Sequence, residues 1–165
     1  ANIVNRYQYF VLENSDCFER GLQGGHVTGS ALVLDSTWRR ILLTHHRKLN
    51  KWLQPGGHAD GDFDIMRVGM REAHEETGLP VIKLMTEEIF DIDIHVIPAR
   101  KGEPEHLHYD CRLLLSSGGA DTFTISDESN DLAWVSMDQI SDYTSEISIL
   151  RMIEKARKII PRLSR

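Results

Sequence analysis

The chain has 165 residues, a length suited to one domain spanning 1–165 that buries roughly two-thirds of its extended surface without disulfide or structural-metal support. Its net charge of −6 argues against a long nucleic-acid polymer as partner, because such binding draws its affinity from a basic face that neutralises phosphates. Hydrophobic residues at 41% and charged residues at 27% are the balance of a water-soluble fold, and no apolar run approaches the ~18 residues that cross a bilayer.

The first residues lack a basic segment followed by an apolar stretch, so no signal peptide is expected. Cys17 and Cys111 have neither a metal-ligand spacing nor a close partner, which fits two free thiols in a reducing cytoplasm. Residues 5–22 are mixed, with a short helix expected around Ser15 to Leu22. His26 to Leu34 reads as a strand, Asp35-Ser36-Thr37 as a turn, and Trp38 to His46 as the returning strand of a hairpin. Residues 51–54 are extended, and Pro55-Gly56-Gly57 ends them.

Asp60 to Asp64 supplies helix N-terminal chemistry, and 64–77 reads as a helix. Met66, Gly69, Met70, Ala73 and Thr77 form a stripe at helical period, with Gly78 as the stop and Pro80 just beyond. Ile89 to Ile97 alternates apolar and polar residues, Arg100 to Glu105 is a turn, and His106 to Leu115 completes a second hairpin, closed by Gly118-Gly119. Leu132 to Val135 is a short strand. Glu146 to Ile160 is a terminal helix that Pro161 ends. Strand pairs with a central and a terminal helix predict a mixed sheet packed between helices.

Glu72, Glu75 and Glu76 fall at i, i+3 and i+4, so the three carboxylates share one helix face with Cβ atoms ~5–6 Å apart. Like charges that close repel. Arg71, placed one turn before Glu75, offsets part of this, and a divalent cation offsets more. Magnesium suits such a cluster: it takes oxygen ligands, keeps several waters and binds phosphate oxygens. A solvated acidic face is the plain alternative. Gly57, in a tight Pro-Gly-Gly turn near the start of the helix, leaves a backbone carbonyl free for such an ion.

The segment from Gly57 to Leu79 resembles the Nudix box. That pattern runs Gly, five residues, Glu, seven residues, then Arg-Glu-aliphatic-any-Glu-Glu-any-Gly-aliphatic. Here it reads Gly57, five residues, Phe63, seven residues, then Arg71-Glu72-Ala73-His74-Glu75-Glu76-Thr77-Gly78-Leu79. Every specified position except Phe63 matches when Ala73 counts as aliphatic. Trp52 to His58 looks like the family's lead-in to the box, and Glu128 with Trp134-Val135 like its closing strand. The resemblance implies an α/β fold, the Nudix-type α/β/α sandwich around a mixed β-sheet. It implies Mg2+-dependent hydrolysis, with Mn2+ as a substitute, of a nucleoside diphosphate linked to another moiety, and relatives that are often homodimers. Glu75 and Glu76 would be metal ligands, Glu72 a ligand or the base that activates water, Arg71 the holder of a glutamate, and Gly57 a carbonyl donor. Phe63 replaces a glutamate that helps support the metal site, which bears on how many ions bind. Asp60, Asp62 and Asp64 are the nearby carboxylates that could stand in for it.

Arg39, Arg40, Arg47, Lys48 and Lys51 lie in a stretch without Asp or Glu, either a solvated edge or a phosphate-holding patch. Arg47 is the preferred substrate contact, with His58 beside it in the lead-in. His106, His108 and Asp110 alternate along one strand and so share a face, ready for a metal, for phosphate or for solvent. The histidines suit ions softer than magnesium. Glu128 is a candidate general base or a turn carboxylate. Trp52 and Tyr109 could stack on a base or belong to the core, and Cys111 reads as a buried side chain. A Nudix-fold binding or regulatory module, favoured by Phe63 alone, and an isoprenyl-diphosphate isomerase-like enzyme are the competing readings. Neither cysteine lies near the box, which argues against the isomerase.

Overall fold

A computed structural model describes residues 2–163. The first strand, β1 (Gly25–Leu34), is buried along its whole length. One face is small and apolar, and the other carries His26, Thr28 and Ser30 before Leu32 and Leu34; both are buried, as in a central strand. Its parallel partner is β7 (His106–Ser116), in register from Gly25↔Leu107 to Leu34↔Ser116. β6 (Asp91–Ile97) runs antiparallel to β7, from Asp91↔Arg112 to Ile97↔His106, so the expected second hairpin is present. β5 (Lys83–Leu84) extends the same side.

The first hairpin differs from expectation. β2 (Arg40–His46) meets β1 at a single pair, Leu34↔Ile41, and then pairs with β8 (Ser129–Ser136) and β3 (Lys51–Leu53). The buried Asp35 carboxylate organises the divergence. It accepts from the Thr37 hydroxyl, from the Arg39 and Arg40 backbone N–H groups and from Arg40 Nε. Residues 36–39 are consumed in that turn, so β2 begins at Arg40 rather than Trp38. The edge of β1 left open accepts β4 (Gly56–His58) through Thr28↔His58, Gly29↔Gly57 and Ser30↔Gly56. This pairing carries the Gly-Gly turn into the sheet.

Alternation along the central strands divides the core. Ala31, Val33, Leu113 and Leu115 face one side with Ala73 and Leu79, while Leu32, Leu34 and Leu114 face the other with Ile149, Met152 and Ile153. The first side is covered by α2 (Ile65–Thr77), the second by α3 (Ile147–Leu163). The result is the expected α/β/α sandwich around a mixed sheet. Asp64 caps α2 by accepting from Arg67 N–H at 3.1 Å, a contact worth ~1 kcal/mol, and the left-handed Gly78 (φ 60°) ends it. α2 lies close on the sheet: a Cβ at Gly69 would stand 2.7 Å from Leu113 Cδ1.

Two helix expectations are corrected. The N-terminal helix is α1 (Ile3–Glu13), capped by Asn2, whereas residues 15–22 form successive turns, with Cys17 N–H on the Asn14 carbonyl and Glu19 N–H on that of Asp16. Aromatic packing selects the earlier segment: Phe10 stacks on Tyr109 at 3.7 Å, and the Tyr7 hydroxyl donates to the Tyr109 carbonyl. Pro161 lies inside the last turn of α3 and does not stop it. At a helix end its missing N–H forfeits only one bond. No helix among the described residues is long and apolar enough to cross a membrane.

Candidate active site

The three box glutamates occupy three different environments on α2. Glu75 is exposed, Glu72 is half-buried, and Glu76 is 5% exposed on the side that packs against the sheet. Glu76 Oε2 accepts from the Gly56 backbone N–H at 3.1 Å, and that is its one hydrogen bond among the described residues. Burial pushes its carboxyl up to about 8, and the charges of Glu128, Glu72 and Glu75 push the same way against that single donor. Glu72 is also raised, first by burial. A nearly buried carboxylate with one donor and three acidic neighbours lacks a counter-charge, and a cation with oxygen preference supplies it. The donor set therefore fits a divalent metal ion.

Gly57 lies directly under Glu72: a Cβ there would stand 2.1 Å from Glu72 Oε2. The β1–β4 pairing thus brings the turn and the glutamate helix into contact. Arg71 departs from the expected partner. It leaves Glu75 and spans two acceptors, the His58 carbonyl at 2.8 Å and Glu72 Oε1 at 3.0 Å, through Nη2. It therefore fixes the box turn and a box carboxylate with one guanidinium. Lysine cannot hold both acceptors in the fixed plane of a guanidinium, so Arg71→Lys is expected to loosen Glu72 and, for a cation held by the glutamates, to raise the concentration needed for half-maximal activity by ~10–100-fold. An unchanged divalent-cation titration would remove Arg71 from this role.

Phe63 is 79% exposed and its ring is outside the cluster. The three neighbouring aspartates each hold another partner. Asp60 pairs with Arg20, and Asp64 caps α2. Asp62 is held by Arg67 at 2.6 and 2.7 Å and reaches Arg71 Nη1 only at 4.0 Å. Phe63→Glu is therefore expected to change stability by less than ~0.5 kcal/mol and activity by less than ~2-fold. A large gain in activity would show that a carboxylate at this position reaches the glutamate cluster.

The basic stretch does not act as one patch. Arg40 pairs with Asp35 at 2.7 Å, and Lys51 with Glu146 at 2.7 Å. Arg47 is exposed beside the Glu128 loop: its N–H donates to the Glu128 carbonyl, and its guanidinium to Asn130 Oδ1 and the Ser129 carbonyl, each at 3.3 Å. Glu128 is exposed and near enough to the glutamate helix to raise both Glu72 and Glu76. Asp110 is not a free ligand, because it accepts from Thr28, Ser30 and Arg112. His106 and His108 share a face, with their Nε2 atoms 3.3 Å apart, and that face also holds His58 and His26. His26 was not singled out from the sequence, since a lone histidine in an apolar strand carries no local signal. Tyr109 lies under α1, Trp52 packs on the core against Tyr143, and burial pushes the Cys111 thiol up to about 12. Neither of two shallow depressions, about 320 and 380 Å3 and lined around Asp35 and Asp93, includes a box glutamate.

Comparison with known proteins places this geometry. The m7GpppN-mRNA hydrolase NUDT17 of Xenopus laevis is 38% identical over 64 residues, which cover 35% of this chain and 22% of that protein. The mRNA-decapping enzyme subunit 2 of Arabidopsis thaliana is 40% identical over 62 residues, covering 38% of this chain and 16% of that protein. The matches thus span about a fifth of the length of these curated relatives. Among solved structures, the C. elegans Ap4A hydrolase superposes with a TM-score of 0.66 at 14% identity, covering 82% of this chain and 97% of that one. The NUDIX domain of Shewanella oneidensis NrtR, complexed with ADP ribose, gives a TM-score of 0.55 at 18% identity over 93% and 98%. These structures share the fold. The family profile described as NUDIX domain matches residues 25–163, from the start of β1 to the end of α3, and the chain accordingly belongs to that family.

Proposed function

We propose that residues 1–165 form one Nudix hydrolase domain that cleaves a diphosphate bond in a nucleoside diphosphate linked to another moiety. The observation that carries this reading is Glu76, buried beside Glu72 with a single backbone donor. Glu72, Glu75, Glu76 and the Gly57 carbonyl would hold Mg2+, with Mn2+ as substitute. Such an ion polarises phosphoryl oxygens and acidifies a bound water.

The chain's own groups supply the rest. Glu72 accepts the proton of the attacking water, a task suited to a carboxyl raised by burial. The water oxygen bonds to one phosphorus as the bridging P–O bond breaks, and the other phosphate leaves with the bridging oxygen. Arg71 keeps Glu72 and the His58 peptide in place throughout. Arg47, exposed beside the Glu128 loop, offers its guanidinium fork to a phosphate of the substrate. Glu128 adds negative charge that keeps the site dependent on the cation.

The names of relatives supply the substrates to test: a capped dinucleotide, Ap4A and ADP-ribose, together with nucleoside triphosphates. Incubation with Mg2+ in 18O-labelled water, with products resolved by mass, is expected to show cleavage of one diphosphate bond and one 18O in a product phosphate. A folded protein that consumes none of these substrates with either Mg2+ or Mn2+ would overturn the hydrolase reading in favour of a binding module.

A further inference from the structure

His26, His58 and His108 come from β1, β4 and β7, strands joined edge to edge. His26 lies opposite His108 in the parallel pair. Thr28, two residues along β1 and so on the same face as His26, lies opposite His58. The three rings consequently gather on one face, with centroids 4.8 to 5.5 Å apart. One ligand nitrogen from each lies within 4.8 Å of the others. The His26 ring is 3% exposed, and neither of its nitrogens has a hydrogen-bond partner. Leaving a buried polar group unmatched costs ~1–3 kcal/mol, and water or neighbouring side chains normally prevent it. Here the groups that face the orphaned ring are other imidazoles.

We propose that His26, His58 and His108 form a second metal site, separate from the glutamate helix, that binds zinc. Three imidazole nitrogens on three strands are a zinc donor set, whereas magnesium takes oxygen. Tetrahedral coordination at ~2.0–2.1 Å places ligand nitrogens about 3.3 Å apart, so ring rotations of about an ångström complete the site. His106 lies beside the triad, its Nε2 3.3 Å from that of His108 and its Nδ1 2.9 Å from the Pro104 carbonyl. Burial and the neighbouring rings hold His26 and His108 well below the usual histidine range, which leaves their lone pairs free at neutral pH. His58 and His108 thereby take a metal-holding role in place of the substrate contact the sequence suggested.

The location gives the ion a purpose. His58 follows Gly57, and its carbonyl is the acceptor of Arg71. Zinc on the His58 ring ties β4 to β1 and β7, and so steadies the peptide on which Arg71 and Glu72 rest.

The test uses untagged protein, with zinc and cobalt as the probes. Elemental analysis after equilibration with zinc is expected to find one zinc per chain. The cobalt-substituted protein is expected to show the intense visible absorption of a tetrahedral ion. His58→Gln and His108→Gln, both at half-buried positions, are expected to weaken zinc binding at least ~100-fold with unchanged circular dichroism, while Glu76→Gln keeps its zinc. Zinc absent from folded wild-type protein, zinc retained by both histidine variants, or zinc lost with Glu76→Gln would each overturn the proposal. Should a histidine variant fail to fold, the wild-type cobalt spectrum decides: weak octahedral absorption refutes the site. None of these outcomes depends on hydrolysis.

Discussion

Glu76→Gln is expected to slow diphosphate hydrolysis by about 10²- to 10⁴-fold at saturating substrate while the protein remains folded, the loss of several kcal/mol of charge stabilisation that a metal ligand supplies. The amide keeps the shape and can still accept from the Gly56 N–H, so packing against the sheet survives. What disappears is the negative charge. Near-wild-type turnover in this variant would refute the assignment of Glu76 as a ligand.

The same substitution has a second, opposite consequence for stability. In metal-free protein burial pushes Glu76 from 4.5 up to about 8. Between those values the folded state keeps a proton that the unfolded chain releases. Unfolding then liberates a proton, so the contribution of Glu76 to the stability of the metal-free protein falls as pH rises through this window and levels off above it. Glutamine removes that slope. In chelator the variant is expected to melt above wild type at pH 8.5 and together with it near pH 4.5, as read by thermal denaturation. Magnesium should raise the melting temperature of wild type more than that of the variant. A difference between variant and wild type that does not grow with pH would show that Glu76 ionises at an ordinary pH.

Gly57→Ala is expected to separate catalysis from folding. Its new Cβ would fall 2.1 Å from Glu72 Oε2 and 2.6 Å from Glu72 Cδ. These atoms end a flexible side chain, so the fold yields at a cost below ~1 kcal/mol, yet the carboxylate is displaced. Misplacement by about an ångström costs ~10²-fold in rate. Gly56→Ala is the contrasting variant. Its Cβ would meet Ser30 Cβ at 2.3 Å and Ser30 Cα at 2.8 Å, so strand β1 itself must shift. That overpacking is expected to lower stability by ~1–3 kcal/mol. Denaturant melts with parallel rate measurements distinguish the two; equal loss of stability in both would mean that Glu72 has no room to move.

The parts of this molecule that could be read from sequence are those that chemistry makes local. α2 carries its cap Asp64, its stop Gly78 and most of its apolar stripe within one short segment: Gly69, Ala73 and Thr77 are buried and Met66 and Met70 partly so, while the buried Val68 lay outside the expected stripe. The β6–β7 hairpin was legible because its first strand alternates. β1 carries no alternation because both of its faces are buried, and its principal partner β7 lies far along the chain, so the adjacent segment β2 looked like a hairpin mate. The same long-range pairing concealed the histidine triad: His26, His58 and His108 become neighbours only when β4 and β7 dock on opposite edges of β1. Helical spacing pointed Arg71 to Glu75, whereas the half-buried His58 carbonyl draws it to Glu72. The burial of Glu76 could not be inferred from the spacing of three like charges, since it depends on how closely Gly69 lets the helix approach the sheet.

The most direct test of the glutamate site is a magnesium titration of chelator-treated protein, followed by hydrolysis of ADP-ribose, Ap4A and a capped dinucleotide, in wild type and Glu76→Gln side by side. Wild-type protein is expected to show no turnover in chelator and recovery on adding Mg2+ with an otherwise unchanged fold, and the variant no comparable recovery. Turnover that persists in chelator, or that magnesium restores equally in both proteins, would contradict that expectation.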